Sequence, residues 1–157
     1  MINLIEATSL NDYKLAVELF KEYASYIKID LAFQNFSKEI GNLEAQYSKP
    51  KGNIFLAYKD QSNPVGCFGI REFKGETCEL KRMYLKNEAR GLGIGKLMLK
   101  KAIETGKELG YNKMRLDTLS TMQSAIRMYK QAGFYEIPAY RFNPLEGAKY
   151  FEIELKG

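Results

Sequence analysis

Residues 85–101 read LKNEARGLGIGKLMLKK, a stretch in which Gly91, Gly93 and Gly95 alternate with bulkier residues and run into a lysine-rich helical pattern. The β-rich run TCELKRMYL (77–85) precedes it, so the glycines occupy the turn of a strand–turn–helix unit. Such a turn presents several free backbone N–H groups and the positive end of a helix dipole. Glycine lets that backbone curl tightly and approach a ligand without side chains in the way. Together these features make a phosphate site. A P-loop is excluded, because Lys96 is followed by Leu97 and Arg90 stands where the first glycine belongs. The dinucleotide fingerprint G-x-G-x-x-G fails on spacing, and the strand before the loop is not the first in the chain.

INLIE (2–6) reads as a short strand. SLNDYKLAVELFKEYASYI follows as a helix with Ser9 or Asn11 as cap and Leu15, Leu19, Tyr23 and Tyr26 on one stripe. NFSKEIGNLEAQYSKP is a second, weaker helix ending before Pro50. NIFLAYK (53–59), VGCFGIREF (65–73) and residues 77–85 form successive strands joined by the short polar turns DQSNP and KGE, which favours antiparallel hairpins. The helix after the glycines ends near Gly110. KMRLDTL (113–119) then lies parallel to the preceding strand through a right-handed crossover. TMQSAIRMYKQAG is a last helix, and strands around 134–139 and 149–155 flank the loop YRFNPLEGA. The expected fold is mixed α/β: about seven strands, mostly antiparallel, with four helices, in a single domain spanning 1–157.

Composition narrows the function. The net charge is +5, but the basic residues are spread along the chain without the arm or stripe of a nucleic-acid binder. No apolar run approaches a membrane span and no signal-peptide layout opens the chain, so a cytoplasmic location is expected. The absence of histidine excludes histidine triads and Cys/His zinc sites, and no metal is expected. Folding the hairpin at Lys74–Glu76 sets Cys78 opposite about position 72, too far from Cys67 for a disulfide. Both cysteines read as small apolar strand residues.

RGLGIG (90–95) resembles the [QR]-x-x-G-x-[GA] pyrophosphate loop of the GNAT superfamily of acyl-CoA-dependent N-acetyltransferases. Ala125, Tyr129, Gly133 and Phe134 also match that superfamily's A-x-x-x-Y-x-x-x-G-F pattern at the right place in the element order. The resemblance is strongest over residues 53–136. It implies a sheet splayed between the fourth and fifth strands, with the pantetheine arm of acetyl-CoA along Met83, Tyr84 and Leu85. The pyrophosphate would meet the N–H groups of Gly91, Leu92, Gly93, Ile94, Gly95 and Lys96, beside Arg90. Where many relatives carry an asparagine, this chain has Met122, so Ser124 or backbone groups are expected to take over that contact.

The resemblance further implies direct acetyl transfer to a primary amine of a small molecule or protein, with no covalent enzyme intermediate and therefore no need of either cysteine. An alkylamine with a pKa near ~10 must lose a proton before it attacks. Glu79, eleven residues before Arg90, has the offset of the base in lysine-acetylating relatives. It reads either as that base or as a surface carboxylate paired with Lys81. Tyr129 reads as the acid that protonates the CoA thiolate, or as a plain core tyrosine. Tyr26, Phe33, Phe36, Tyr140 and Phe142 are candidates for the acceptor pocket wall, with Asp30 to hold a cationic amine. The acceptor is expected to be neither nucleic acid nor membrane, and the protein a monomer or homodimer. A non-catalytic acyl-CoA-binding module with the same cleft is the alternative.

Overall fold

Alternating apolar residues build seven strands: β1 (Asn3–Glu6), β2 (Asn53–Tyr58), β3 (Gly66–Lys74), β4 (Thr77–Leu85), β5 (Lys113–Leu119), β6 (Tyr135–Ile137) and β7 (Ala148–Glu154). In the computed structural model, which describes residues 2–27, 36–60, 63–141 and 146–156, they join into one sheet in the order β1-β2-β3-β4-β5-β7-β6. Every pairing is antiparallel except β4 with β5. The helices are α1 (Leu10–Tyr26), α2 (Phe36–Ile40), α3 (Leu43–Tyr47), α4 (Ile94–Glu108) and α5 (Gln123–Ala132).

Ser9 caps α1 through a reciprocal box: its Oγ accepts from the Asp12 N–H at 3.1 Å, and the Asp12 carboxylate accepts from the Ser9 N–H at 3.2 Å. The single helix expected before Pro50 is instead two, α2 and α3, broken at Gly41 and Asn42. Glycine and asparagine are poor helix formers, and the halves are anchored by buried side chains, Glu39 in α2 and Leu43 and Tyr47 in α3.

The two faces of the sheet bury different cores. On one, Phe68, Ile70, Leu80, Met114, Leu116 and Phe151 pack with α4 and with Tyr129 of α5. On the other, Ile54, Leu56, Cys67 and Tyr84 pack with Ala16, Leu19 and Phe20 of α1 and with α3. Strand alternation then places Arg71, Glu79, Lys81, Arg115, Asp117, Tyr150 and Glu152 on this second face, where polar groups gather beyond the apolar part. Cys67 and Cys78 are buried and unbridged, and burial pushes the Cys78 thiol up to about 12.

One irregularity positions the site. Gly69 faces Lys81 and Cys67 faces Tyr84, so two steps along β3 match three along β4. The extra residue makes a bulge. Arg82 sits there at φ +55, a left-handed conformation that costs a non-glycine residue about 1–2 kcal/mol. A forked ion pair holds it: Arg82 Nη2 and Nε donate to the Glu39 carboxylate at 2.8 and 3.0 Å, and Tyr47 donates to the same group at 3.0 Å. The parallel ladder between β4 and β5 covers Thr77 with Lys113, Cys78 with Met114 and Glu79 with Arg115, then stops.

Candidate active site

Past Glu79 and Arg115 the two strands part, and a cleft of about 860 Å³ runs between them. Met83, Tyr84 and Leu85 form its β4 wall. Arg90, Gly91, Gly93, Gly95 and Lys96 line its mouth. The opposite wall is Leu119, Met122, Ser124 and Tyr129.

The glycines do what the local pattern requires. Gly91 and Gly93 have φ of +81 and +79, and a Cβ added to either would meet open space rather than protein. Glycine is therefore needed for the turn, and at Gly93 it also keeps the cleft mouth clear. Gly93 caps α4 without a side-chain hydrogen bond, leaving the first N–H groups of a 15-residue helix for a ligand. Leu92 projects into solvent and Ile94 is buried in the core, so these two can offer only backbone N–H groups.

Arg90 braces the loop. Its Nε donates to the Leu85 carbonyl at 2.9 Å and its Nη1 to the Tyr26 hydroxyl at 3.0 Å, with the guanidinium carbon 4.3 Å from the Tyr26 ring centre. The Tyr84 ring is buried and its hydroxyl donates to Glu22 at 2.8 Å. Met122 precedes α5, its sulfur accepting from the Thr118 hydroxyl at 3.7 Å, and the Ser124 hydroxyl accepts from Arg127 at 3.3 Å.

Tyr129 is 7% exposed, with its ring against Phe134 and Phe151. Burial pushes its phenol well above the usual tyrosine range, and the nearby Tyr23 and Asp117 push in the same direction. It stays protonated at neutral pH, as a phenol at its ordinary value also would, and the upward shift weakens it as an acid.

Glu79 is no surface carboxylate; its side chain is 1% exposed. It does not line the cleft, but sits within a cage of cations on the second face. Arg141 Nη2 lies 2.6 Å from it, Arg71 Nη2 3.5 Å and Lys81 Nζ 3.9 Å, while the Tyr140 hydroxyl donates to it at 3.0 Å. Burial alone would raise its pKa, but Lys81, Arg141 and Arg71 outweigh burial and the net shift is downward. That lowers its basicity. Burial drives Lys81 down to about 8, against the opposing pull of Glu79.

Tyr26 lines the cleft and Tyr140 belongs to the Glu79 cage. Asp30, Phe33 and Phe142 lie outside the described residues, as does the side chain of Phe36. Sequence reasoning passed over Asp117. It stands on β5 two residues beyond the last pair with β4, opposite Tyr150 of β7. Its charge acts on Tyr129 from one side and on Lys81, Tyr140 and Arg141 from the other. The available signal was an acidic residue flanked by Leu116 and Thr118, both buried, in the middle of a strand.

Residues 15–134 match the Acetyltransferase (GNAT) family. The chain belongs to that family. Over 147 residues it is 37% identical to an uncharacterised N-acetyltransferase of Schizosaccharomyces pombe, covering 93% of this chain and 88% of the relative. A GNAT-family acetyltransferase from Staphylococcus aureus superposes with a TM-score of 0.82 at 29% identity, covering 99% of this chain and 100% of that one. A Salmonella typhimurium protein solved with its cofactor acetyl-CoA shares the fold at a TM-score of 0.73 and 13% identity, covering 99% and 94%. The seven-stranded mixed sheet with its parallel β4–β5 pair is thus that of the GNAT fold. Among the described residues, no helix is long and apolar enough to cross a membrane, and no group of three or more His, Cys, Asp or Glu could hold a metal.

Proposed function

We propose that this GNAT protein transfers the acetyl group of acetyl-CoA directly to a primary amine of a small-molecule or protein acceptor. The observation that carries the proposal is the cleft itself, with a glycine loop and a helix N-terminus at its mouth and a protonated Tyr129 on its wall. The unpaired edge of β4 at Met83–Leu85 takes the pantetheine arm as an added strand. Residues 91–96 take the pyrophosphate through backbone N–H groups, with Lys96 supplying charge. Ser124 offers a hydroxyl from the far wall.

In the transfer, the neutral amine attacks the thioester carbonyl, a C–N bond forms and the C–S bond breaks. Tyr129 gives its proton to the departing thiolate. The amine's surplus proton goes to a carboxylate, directly or through water. We assign this role to Asp117 rather than Glu79: Asp117 stands on β5 two residues beyond the last pair with β4, and the cations around Glu79 lower its basicity.

The test is thiol release from acetyl-CoA across a panel of amines. Release with at least one acceptor, lost in Asp117→Asn and strongly reduced in Tyr129→Phe, supports the scheme. Acetyl-CoA binding without turnover on any amine makes the protein a non-catalytic acyl-CoA-binding module.

A further inference from the structure

The ion cluster on the second face has an order to it. Its carboxylates are innermost: the side chains of Glu39 and Glu79 are each 1% exposed and that of Glu152 is 7% exposed. Three of its arginines are outermost, Arg71, Arg115 and Arg141 at 22%, 28% and 21% exposed, while Arg82 and Lys81 lie as deep as the carboxylates. Each guanidinium is fixed from behind, Arg71 and Arg141 by Glu79 and Arg115 by Glu152 at 2.7 Å. Aromatic rings fix them laterally. The Arg115 and Arg141 guanidinium carbons lie 5.3 and 5.2 Å from the Tyr140 ring centre, and Arg115 lies 5.4 Å from that of Phe73. A solute reaching this face meets three pre-set guanidinium groups, with their counter-charges out of reach.

We propose that Arg71, Arg115 and Arg141 recognise a carboxylate of the acceptor, which makes the acceptor an amine bearing a free carboxylate. The inference rests on the acetyl-transfer reading for the direction from which the acceptor enters. Guanidinium forks are matched to carboxylate geometry, and the buried glutamates spare the site the cost of reorganising on binding.

The experiment reads binding and turnover separately. With CoA present, thermal shift is measured for amino acids, including acidic ones, and for the corresponding carboxamides, and acetyl-CoA thiol release is measured on the same set. The expected result is a shift for carboxylates that is absent for amides, with affinity about tenfold to hundredfold lower in Arg141→Gln, the scale of a charged hydrogen bond. Arg115→Gln, which leaves the Glu79 cage intact, is expected to weaken binding similarly should Arg141→Gln fail to fold. Amides that bind as well as the acids, or a full panel with no carboxylate-dependent shift, overturn the inference. Carboxylate-dependent binding without thiol release sinks the acetyl-transfer reading and leaves the carboxylate site standing.

Discussion

Neutralising Glu39 tests whether the bulge at Arg82 is held in place from outside β4. The Glu39 side chain is 1% exposed and that of Arg82 3%, at a separation of 2.8 Å, with Tyr47 at 3.0 Å and Arg71 at 4.0 Å completing the shell. Glu39→Gln keeps the shape and removes the charge from beside two guanidinium groups. Breaking a buried pair from one side costs about 3–5 kcal/mol, a large share of the roughly 5–15 kcal/mol that keeps a domain folded. At about 2–4 °C per kcal/mol for a chain of this size, the melting temperature falls by about 6–20 °C. The chain has no tryptophan, so far-UV circular dichroism in urea is the suitable probe. Glu39→Leu with Arg82→Met removes both charges and is expected to recover most of the loss, because an apolar pair of similar volume avoids desolvating either ion. Acetyl-CoA affinity is expected to be low in that double variant, since the Glu39 clamp no longer pins residue 82 at positive φ. A Glu39→Gln protein within about 1 kcal/mol of wild type refutes the clamp.

Acetyl-CoA at about a hundredfold over its dissociation constant stabilises the folded protein by about 2.7 kcal/mol. Gly93→Asp abolishes the corresponding melting shift by putting a side chain and a negative charge into the cleft mouth; an unchanged shift removes the loop from the binding site. Tyr129→Phe lowers kcat by about 10²- to 10⁴-fold with KM for acetyl-CoA nearly unchanged, the mark of an interaction made in the transition state. Because burial raises the Tyr129 pKa, any alkaline decline that the phenol causes falls above the ordinary tyrosine range, and a tyrosine-linked decline below it in the pH–rate profile contradicts this. Glu39 and Glu79 titrate below their ordinary value of 4.5, so the stability they contribute is complete above that pH and is lost as pH falls through their lowered values. Urea midpoints followed from pH 6 downward check this, and removing the Glu39 carboxylate is expected to flatten the slope.

Where short-range pattern decides structure, the sequence was legible. The strands at 77–85 and 113–119 match β4 and β5 end to end, and the loop at 90–95 turns at its glycines as expected. The errors come from contacts made far along the chain. Strand alternation indicates which face Glu79 occupies, but not that Arg71, eight residues away, and Arg141, on a loop sixty-two residues on, close over it. The bulge had no local signature, because an arginine at positive φ depends on a glutamate forty-three residues earlier. Asp117 looked like one polar residue in a strand, and only the parting of β4 from β5 gives it surroundings worth noticing.

That parting leaves the sheet with a seam. Among the described residues the β4–β5 ladder crosses it at three residue pairs, with backbone bonds from Asn112 and Lys113 to Glu76 just before them, and side chains of α4 and the core lie beneath. A ligand in the cleft touches both banks at once, β4 and the glycine loop on one side and Leu119 to Tyr129 on the other. It serves as the missing length of ladder. Amide exchange along the cleft-facing side of Leu116–Leu119 is therefore expected to slow far more on ligand binding than exchange at Met114, where the ladder is already closed. The two banks then open as one cooperative unit, so that what the protein binds also decides how much of it unfolds together.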